Sequence, residues 1–392
     1  MKEIKFEFNL KTKTKFGKGE ALNLGKYLKE LACQRIGIIV DSGIFNLKYI
    51  KQILKNIEKE RFKLIKVWQY DLKSEPDYDS LDKIKLVFLD KNSKPLIDCF
   101  VGIGGGSVID FTKGLATLAV NPGESRIYRG FPTDIRPSLP TIALPTTAGT
   151  GSEVTFNAVF IDWKEKKKLG INTRHNFPVL AILDPTLTLS CPKSVTISSG
   201  MDILVHTIEG YSSKSADFLT KMFAKEGFGL AFNNLSKVLI NPKNMKIRGK
   251  LQLAAYLGGL VLLGSGGGPT GALSYALGVH FRTPHGLAGG VFLPYLVEYN
   301  VRRGYDYSEF YNLIEGVNKN IGRKKKNEIF SKKLFKLLKE IGVPLKLKEF
   351  GVNKDNVNIL LKETENLEKA FSQNPTPFSV EEGKKLLLKL IE

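Results

Sequence analysis

The stretch 99-CFVGIGGGSVIDFTKGLATL-118 decides the fold, because an apolar run passes through three consecutive glycines into a segment with helical spacing. The turn is Gly104-Gly105-Gly106-Ser107. A backbone without Cβ atoms can approach a pyrophosphate closely, and the following helix offers free N–H groups and the positive end of its dipole. A strand-to-helix turn without any ligand has the same pattern, so this turn alone is a weak signal of a nucleotide site.

Strands and helices alternate on both sides of this stretch. The apolar runs that predict buried strands span residues 35–40, 62–68, 99–103, 138–144 and 180–184. Segments with helical spacing lie between them, at residues 47–61, 80–91 and 108–118. This order predicts a parallel sheet with helices on both faces. Residues 1–5 alternate charged and apolar side chains, which predicts a strand and not a signal peptide.

Helical spacing dominates the second half of the chain, at residues 218–233, 246–263, 287–302 and 332–341. We therefore expect an α/β domain over residues 1–185 and an all-α domain over residues 186–392, with the boundary at Asp184-Pro185. Residues 251–281 contain no Asp, Glu, Lys or Arg. Glycines between residues 264 and 268, followed by Pro269, favour two buried helices over one membrane span there.

Composition narrows the class of protein. The chain has 392 residues, 42% of them hydrophobic and 25% charged, as in an ordinary globular enzyme. Its formal net charge is +20, but the lysines are scattered and no aromatic residues interleave the basic runs as stacking platforms for nucleic acid would. A solvated, lysine-rich surface is the favoured interpretation of this charge, and attraction of an anionic substrate or cofactor is the alternative. Cys33, Cys99 and Cys191 form no CxxC pair, which indicates a reducing compartment, and we expect a cytoplasmic protein.

Two further features extend the nucleotide signal. A polar turn at residues 145–153 follows a strand, and its Thr146, Thr147 and Ser152 hydroxyls could hold phosphate oxygens or a nicotinamide amide. An N-cap would explain one such hydroxyl but not several together. Asp41 ends the first strong strand, where a carboxylate can accept the adenosine ribose hydroxyls and repel a 2′-phosphate, which favours NAD over NADP. An ordinary turn aspartate is the alternative for Asp41.

A metal-site pattern lies in the second half. Asp202 and His206 are four residues apart in a helix that we expect to start at Ser199, so they share one face and can chelate a divalent ion. A helix N-terminal aspartate and a hydrogen-bonded core histidine would look the same. His285, held between Pro284 and Gly286, could supply a third ligand. The remaining histidines have no evident partner in the sequence; they are His175 and His280.

The order of these motifs resembles that of the iron-containing (group III) alcohol dehydrogenases over nearly the whole chain. The matching stretches are Gly104 to Ser107 with Asp110 and Lys113, residues 145–155, Asp184-Pro185, residues 199–211 and Pro284-His285-Gly286. The resemblance implies a dehydroquinate-synthase-like fold, in which a dinucleotide-binding α/β domain and an all-helical metal domain flank the active site. It also implies an oxidoreductase that uses NAD and a divalent metal, iron or zinc.

The resemblance also implies roles for individual residues. The residues expected to bind the cofactor are Asp41, Gly104, Gly105, Gly106, Ser107, Asp110, Thr146, Thr147, Ser152 and Lys168. Asp202, His206 and His285 would bind the metal. Lys168 and Tyr275 are the expected catalytic residues.

This chain departs from the family pattern at a metal ligand. The family usually has a metal-binding histidine fourteen residues before the histidine of the Pro-His-Gly turn, and this chain has Gly271 there. Where many members carry a second histidine, it has Tyr275. Three protein ligands therefore remain, which predicts weaker metal binding and leaves open a metal-free or inactive relative.

A looser similarity concerns the substrate. Residues 121–125, 167–172 and 274–275 are similar to the branch that oxidises the terminal hydroxyl of 3-deoxy-octulosonate, an acidic sugar. A carboxylate or phosphate on such a substrate could be held by arginine, although an ordinary surface arginine is the favoured interpretation of each candidate. The candidates are Arg129, Arg174 and Arg282.

The function expected from these observations is hydride transfer between an alcohol, such as an acidic sugar or polyol, and NAD, assisted by a divalent metal. A lyase or cyclase of the dehydroquinate synthase type, which uses NAD transiently, is the alternative enzyme class. A nucleic-acid-binding or scaffold protein is a third class, which the ordered cofactor motifs oppose. The expected partner is a small molecule, without nucleic acid or membrane, and a homodimer stays open.

Overall fold

The computed structural model describes residues 4, 6–60, 62–71 and 75–392. Of the strand predicted over residues 1–5, residues 1–3 and 5 lie outside the described part. The described chain divides into two units. One comprises residues 8–147 and 151–191, and the other comprises residues 148–150 and 192–392 together with the N-terminal segment. The helical unit begins at Pro192 and includes three residues of the polar turn. The domain boundary at Asp184-Pro185 stays a prediction.

The first unit is built on a parallel sheet, as predicted. Its strands are β1 (Lys13–Phe16), β2 (Arg35–Asp41), β3 (Lys63–Tyr70), β4 (Cys99–Gly104), β5 (Thr141–Pro145) and β8 (Leu180–Leu183), in the spatial order β1-β8-β5-β4-β2-β3. Each described pairing within it is parallel. Strands β6 (Val159–Asp162) and β7 (Lys167–Gly170) form a separate antiparallel hairpin that the sequence pattern did not indicate.

Helices connect these strands and cover both faces of the sheet. They are α1 (Leu24–Glu30), α2 (Lys48–Lys59), α3 (Tyr78–Lys85) and α4 (Gly106–Leu118). The helix predicted over residues 80–91 is shorter than expected, because α3 gives way to a 3₁₀ turn at Leu86–Phe88. Strand side chains alternate between two apolar cores: Val101 and Ile103 belong to one, and Phe100 belongs to the other. Burial on both faces explains why the strands are continuous apolar runs.

The second unit is helical, as predicted. Its helices are α5 (Lys193–Ser212), α6 (Phe218–Phe232), α7 (Leu235–Ile240), α8 (Met245–Ser265), α9 (Pro269–Phe281), α10 (His285–Arg302), α11 (Ser308–Leu313), α12 (Arg323–Ile341), α13 (Val357–Thr364), α14 (Glu368–Phe371) and α15 (Val380–Ile391). The helix expected to start at Ser199 begins at Lys193, so Asp202 and His206 lie in its interior and not at its N-terminus.

The long apolar stretch at residues 251–281 is broken between α8 and α9, as the glycines and Pro269 predicted. No single helix in the described chain is long and apolar enough to cross a membrane. The pair α8 and α9 reaches that length and composition only together, and the two helices are bent by 108° at their junction.

Candidate cofactor turn and metal cluster

The cofactor residues predicted on β2, β4 and β5 lie where these three adjacent parallel strands end. Asp41 ends β2, Gly104 ends β4, and Thr146 directly follows β5. The Thr146 N–H donates to the Gly104 carbonyl with an N···O distance of 2.9 Å, so the polar turn is joined to the glycine turn. In open parallel sheets, ligands bind outside these carboxyl ends. This edge of the sheet is therefore the candidate nucleotide-binding site in this unit.

Packing requires glycine in this turn, and the start of α4 beside it is accessible to a ligand. A Cβ on Gly104 would lie 2.5 Å from a methyl carbon of Val108, so only glycine lets the first turn of α4 close on β4. A Cβ on Gly105 would lie 3.3 Å from the Thr147 side chain. Ser107 is partly exposed in the first turn of α4, where backbone N–H groups have no helical partners. This turn can accept an anionic group.

Two of the predicted cofactor residues belong to a buried polar network. The Lys113 side chain is fully buried, and its Nζ donates to Ser152 Oγ at 2.7 Å and to the Asn157 carbonyl at 2.9 Å. Ser152 Oγ also donates to Asp110, whose other carboxylate oxygen accepts the Val159 N–H at 3.0 Å. Asp110 and Ser152 are thus held by protein groups, and they join α4 to the polar turn and to β6.

Burial changes the proton affinities in this network. It lowers the pKa of Lys113, which the Asp110 carboxylate opposes. It raises the pKa of Asp110, against the Lys113 charge and the hydrogen bond from Ser152. Beside them, Glu153 is only 2% exposed, and burial raises the pKa of its carboxyl to about 7 although Lys113 opposes the rise. Burial therefore opposes the charged forms of Lys113 and Asp110, and their mutual pairing is what stabilises these charges.

Asp41 and Lys168 both have protein partners. Asp41 Oδ1 accepts the Gly43 N–H at 2.8 Å in a local turn, and burial raises the pKa of its carboxyl. Lys168 lies on β7, and its Nζ is 2.7 Å from Glu75 Oε2 with only 8% of its side chain exposed. The hairpin, which the sequence did not reveal, determines the environment of Lys168.

The structure brings the three predicted metal ligands together in the helical unit. Asp202 and His206 are buried in α5, and His285 is the first residue of α10. Asp202 Oδ1 lies 3.3 Å from His206 Nε2 and 3.8 Å from His285 Nε2. One ligand atom from each residue lies within 4.8 Å of the other two, the one such group of three among the described residues. One carboxylate and two imidazoles suit a divalent ion such as Fe²⁺ or Zn²⁺.

A second layer of contacts surrounds His285. Its Nδ1 lies 3.0 Å from Ser274 Oγ, which in turn donates to the Gly271 carbonyl at 2.6 Å. The Tyr275 ring is tilted against the imidazole with centroids 5.2 Å apart, and 37% of that residue is exposed. Tyr275 therefore contacts a ligand of the cluster, whereas the role of Ser274 was not evident from the sequence.

Gly271 lies beside a carboxylate that the sequence analysis did not single out. Glu209, on α5, accepts the backbone N–H groups of Thr270 and, at 3.2 Å, of Gly271, and so caps the N-terminus of α9. A Cβ on Gly271 would meet Glu209 Oε2 at 3.8 Å, an ordinary van der Waals distance. A Cβ at this position therefore meets no steric obstacle.

Other residues from the sequence analysis have structural partners. Asp184 is fully buried, and its carboxylate accepts hydrogen bonds from the N–H groups of Gly19 and Ala21 and from the Tyr49 hydroxyl at 2.6 Å. Arg129 pairs with Asp162 at 3.0 Å. The other singled-out side chains lie elsewhere: His280 is 3.7 Å from Glu363, Arg282 caps α9 at a φ of 52°, and Arg174 and His175 are exposed.

Comparison with known protein families agrees with this geometry. Residues 11–185 match the model of the iron-containing alcohol dehydrogenases, and residues 196–391 match the C-terminal model of the Fe-containing alcohol dehydrogenase family. The chain belongs to the iron-containing alcohol dehydrogenase family. It is accordingly an oxidoreductase of the alcohol dehydrogenase type, as the sequence motifs had predicted.

Individual relatives support the assignment over most of the chain. The NAD-dependent methanol dehydrogenase of Bacillus methanolicus is 28% identical over 355 residues, which is 88% of this chain and 90% of that protein. Alcohol dehydrogenase 4 of Schizosaccharomyces pombe is 31% identical over 289 residues, 73% of this chain and 67% of that protein. The sulfoacetaldehyde reductase of Bifidobacterium kashiwanohense, solved in complex with NAD⁺, matches with a TM-score of 0.87 at 25% identity and covers both chains fully.

Proposed function

We propose that this dehydrogenase transfers a hydride between a small alcohol and NAD, with a divalent ion held by Asp202, His206 and His285. The convergence of these three ligand atoms within 4.8 Å carries the proposal. A buried carboxylate oxygen facing two imidazole nitrogens is costly unless a cation or protons compensate the arrangement. A divalent ion bound there would polarise a hydroxyl and lower its pKa.

The cofactor proposal rests on the edge formed by β2, β4 and β5. Gly105, Gly106 and Ser107 would receive the pyrophosphate at the N-terminus of α4. Asp41 would accept the ribose hydroxyls and disfavour the 2′-phosphate of NADP. Two of the relatives described above carry NAD in their names or complexes, which supports the same choice.

The hydrogen bonds at Ser152 and Asp110 refine the roles expected from the sequence. We propose that both residues act by holding the polar turn against α4, since Lys113 and Val159 already engage them. Thr146 and Thr147, which adjoin Gly104 and Gly105, are the better candidates for direct cofactor contact.

The substrate is proposed as a small alcohol or the corresponding aldehyde, and an anionic one is favoured by charge. The formal net charge of +20 would raise the local concentration of anions around the chain. Sulfoacetaldehyde, the substrate named for one structural relative, is such an anion. Arg174, which is exposed, is a better candidate for long-range attraction than Arg129, which pairs with Asp162.

The test combines metal binding with turnover. Protein loaded anaerobically with Fe²⁺, or with Zn²⁺, should reduce NAD faster than NADP in the presence of small alcohols, polyols and hydroxy acids. Asp202→Asn keeps the side-chain shape but removes the charge, and it should weaken metal binding by at least about 100-fold, since even outer contacts contribute 10- to 100-fold. Asp355→Asn, at an exposed loop residue, is the matched control.

Two results would contradict the proposal. NADH formation that persists unchanged in Asp202→Asn, or in the presence of a chelator, would show that the metal takes no part in the reaction. Substrate conversion without any net NADH would instead indicate an enzyme that uses NAD transiently and returns it.

A further inference from the structure

Ser274 lies between the proposed metal ligand His285 and the backbone of Gly271, where the histidine ligand usual in the family is absent. It is fully buried on α9, three residues after Gly271. Its Oγ is 2.6 Å from the Gly271 carbonyl oxygen and 3.0 Å from His285 Nδ1. One hydroxyl therefore connects α9 to the first residue of α10.

The protons in this chain of contacts can be assigned from chemistry alone. A carbonyl oxygen only accepts, so the single hydroxyl proton of Ser274 is donated to Gly271. The hydroxyl oxygen must then accept from His285, which puts the proton of the neutral imidazole on Nδ1. His285 Nε2, which is 3.8 Å from Asp202 Oδ1, is left with its lone pair.

We infer that Ser274 is a positioning residue that holds His285 in the Nδ1–H tautomer and turns its Nε2 lone pair toward Asp202. The Asp202 carboxylate, whose Oδ1 lies 3.8 Å from Nε2, would by itself favour a proton on that nitrogen, so the Ser274 hydroxyl acts against it. Tyr275 packs against the imidazole with ring centroids 5.2 Å apart, which limits rotation of the ring but leaves the proton free to occupy either nitrogen.

The two histidines of the cluster differ in this respect. His206 Nδ1 is buried and has no hydrogen-bond partner among the described residues, so His206 is oriented by its place on α5 and by Asp202. His285 lies at a helix terminus, where the Ser274 hydroxyl supplies the orientation. Because Gly271 contributes no side-chain ligand, the metal affinity of this three-residue cluster depends more heavily on each ligand than it would in a cluster of four. The consequence for metal affinity rests on the proposed function, whereas the tautomer itself does not.

Ser274→Ala tests the inference, because alanine fits the same buried helical position and removes only the hydroxyl. The chain has four histidines, so ¹⁵N-labelled imidazole resonances can be assigned with His285→Gln as the reference. At about pH 8.5, about two units above the reference pKa of an imidazole, native metal-free protein should show His285 as the Nδ1–H tautomer. Ser274→Ala should populate the Nε2–H tautomer, and Ser274→Thr, which retains a hydroxyl, should restore the native one.

Metal titration gives the second readout. Loss of a contact that orients a histidine ligand should weaken Fe²⁺ or Zn²⁺ binding by about 10- to 100-fold. Ser265→Ala is the matched control, since Ser265 is also a buried helical serine that donates to a backbone carbonyl, that of Val261 at 2.8 Å. It should leave both the tautomer and the affinity unchanged.

The outcomes separate this inference from the proposed function. An unchanged His285 tautomer in Ser274→Ala overturns the inference even if the native protein binds metal. A changed tautomer with undiminished metal affinity overturns the positioning role toward the metal. A native protein that binds no divalent metal overturns the proposed function, and the tautomer measurement still decides what Ser274 does.

Discussion

The buried polar groups around Lys113 and those around Asp202 are arranged in opposite ways. Around Lys113, the ammonium, the Asp110 carboxylate and the Ser152 hydroxyl satisfy one another. Around Asp202, the carboxylate faces two imidazole nitrogens, and the buried Nδ1 of His206 has no hydrogen-bond partner in the described part of the chain. The first arrangement needs nothing further and stabilises the fold, whereas the second brings electron-pair donors together as a cation requires.

Removing the ammonium from the first region should produce the largest loss of stability. Lys113→Met keeps much of the side-chain volume but leaves the Asp110 charge buried without its partner. We expect the free energy of unfolding to fall by about 3–5 kcal/mol, measured by urea denaturation. Lys167→Met, at an exposed residue of the hairpin, should change it by less than about 0.5 kcal/mol. Equal effects of the two substitutions would contradict the structural reading of the Lys113 region.

Glu153 tests the same region through pH. Its carboxyl has a pKa raised to about 7 in the folded chain, from a reference value of 4.5. Between these values the folded chain holds a proton that the unfolded chain releases, so stability falls as pH rises through this window and stays lower above it. Glu153→Gln should be more stable than the native chain at pH 8, by at most about 3 kcal/mol, and lose this advantage near pH 4. Thermal unfolding across pH measures the difference, and parallel stability profiles would contradict it.

Adding a ligand to the region around Asp202 should strengthen metal binding, and in free energy this gain should be smaller than the losses predicted for the Lys113 region. Gly271→His meets no steric obstacle at its Cβ, and the imidazole would restore the ligand usual in the family. We expect metal to bind at least about 10-fold more tightly, with Gly271→Ala as the control for filling space without a ligand. Higher dehydrogenase activity in Gly271→His would indicate that the native site has decayed, and lower activity would indicate that the open space serves the substrate. Metal affinity equal to that of Gly271→Ala would show that residue 271 does not face the ion.

The local sequence pattern was sufficient to predict many of the strands and helices and part of the candidate metal site. The apolar runs that became β2 and β4 could be recognised because strands buried on both faces need no polar side chains. The pairing of Asp202 with His206 follows from helical geometry, which places residues four apart on one face. The helix start at Ser199 was wrong because residues before it carry no strong cap signal, and α5 begins at Lys193 after Pro192.

The sequence by itself thus determined the class of each unit, the glycine turn and the pairing of Asp202 with His206, since these depend on contacts within a few residues, and the Pro284-His285-Gly286 turn indicated a third ligand. Its resemblance to a family supplied the significance of Gly271. Only the tertiary structure decided that Ser274 holds His285, that Glu75 pairs with Lys168 and that Ser152 belongs to a buried network. These contacts join residues from different elements, and neither periodicity nor spacing encodes which polar atoms meet when helices and strands pack.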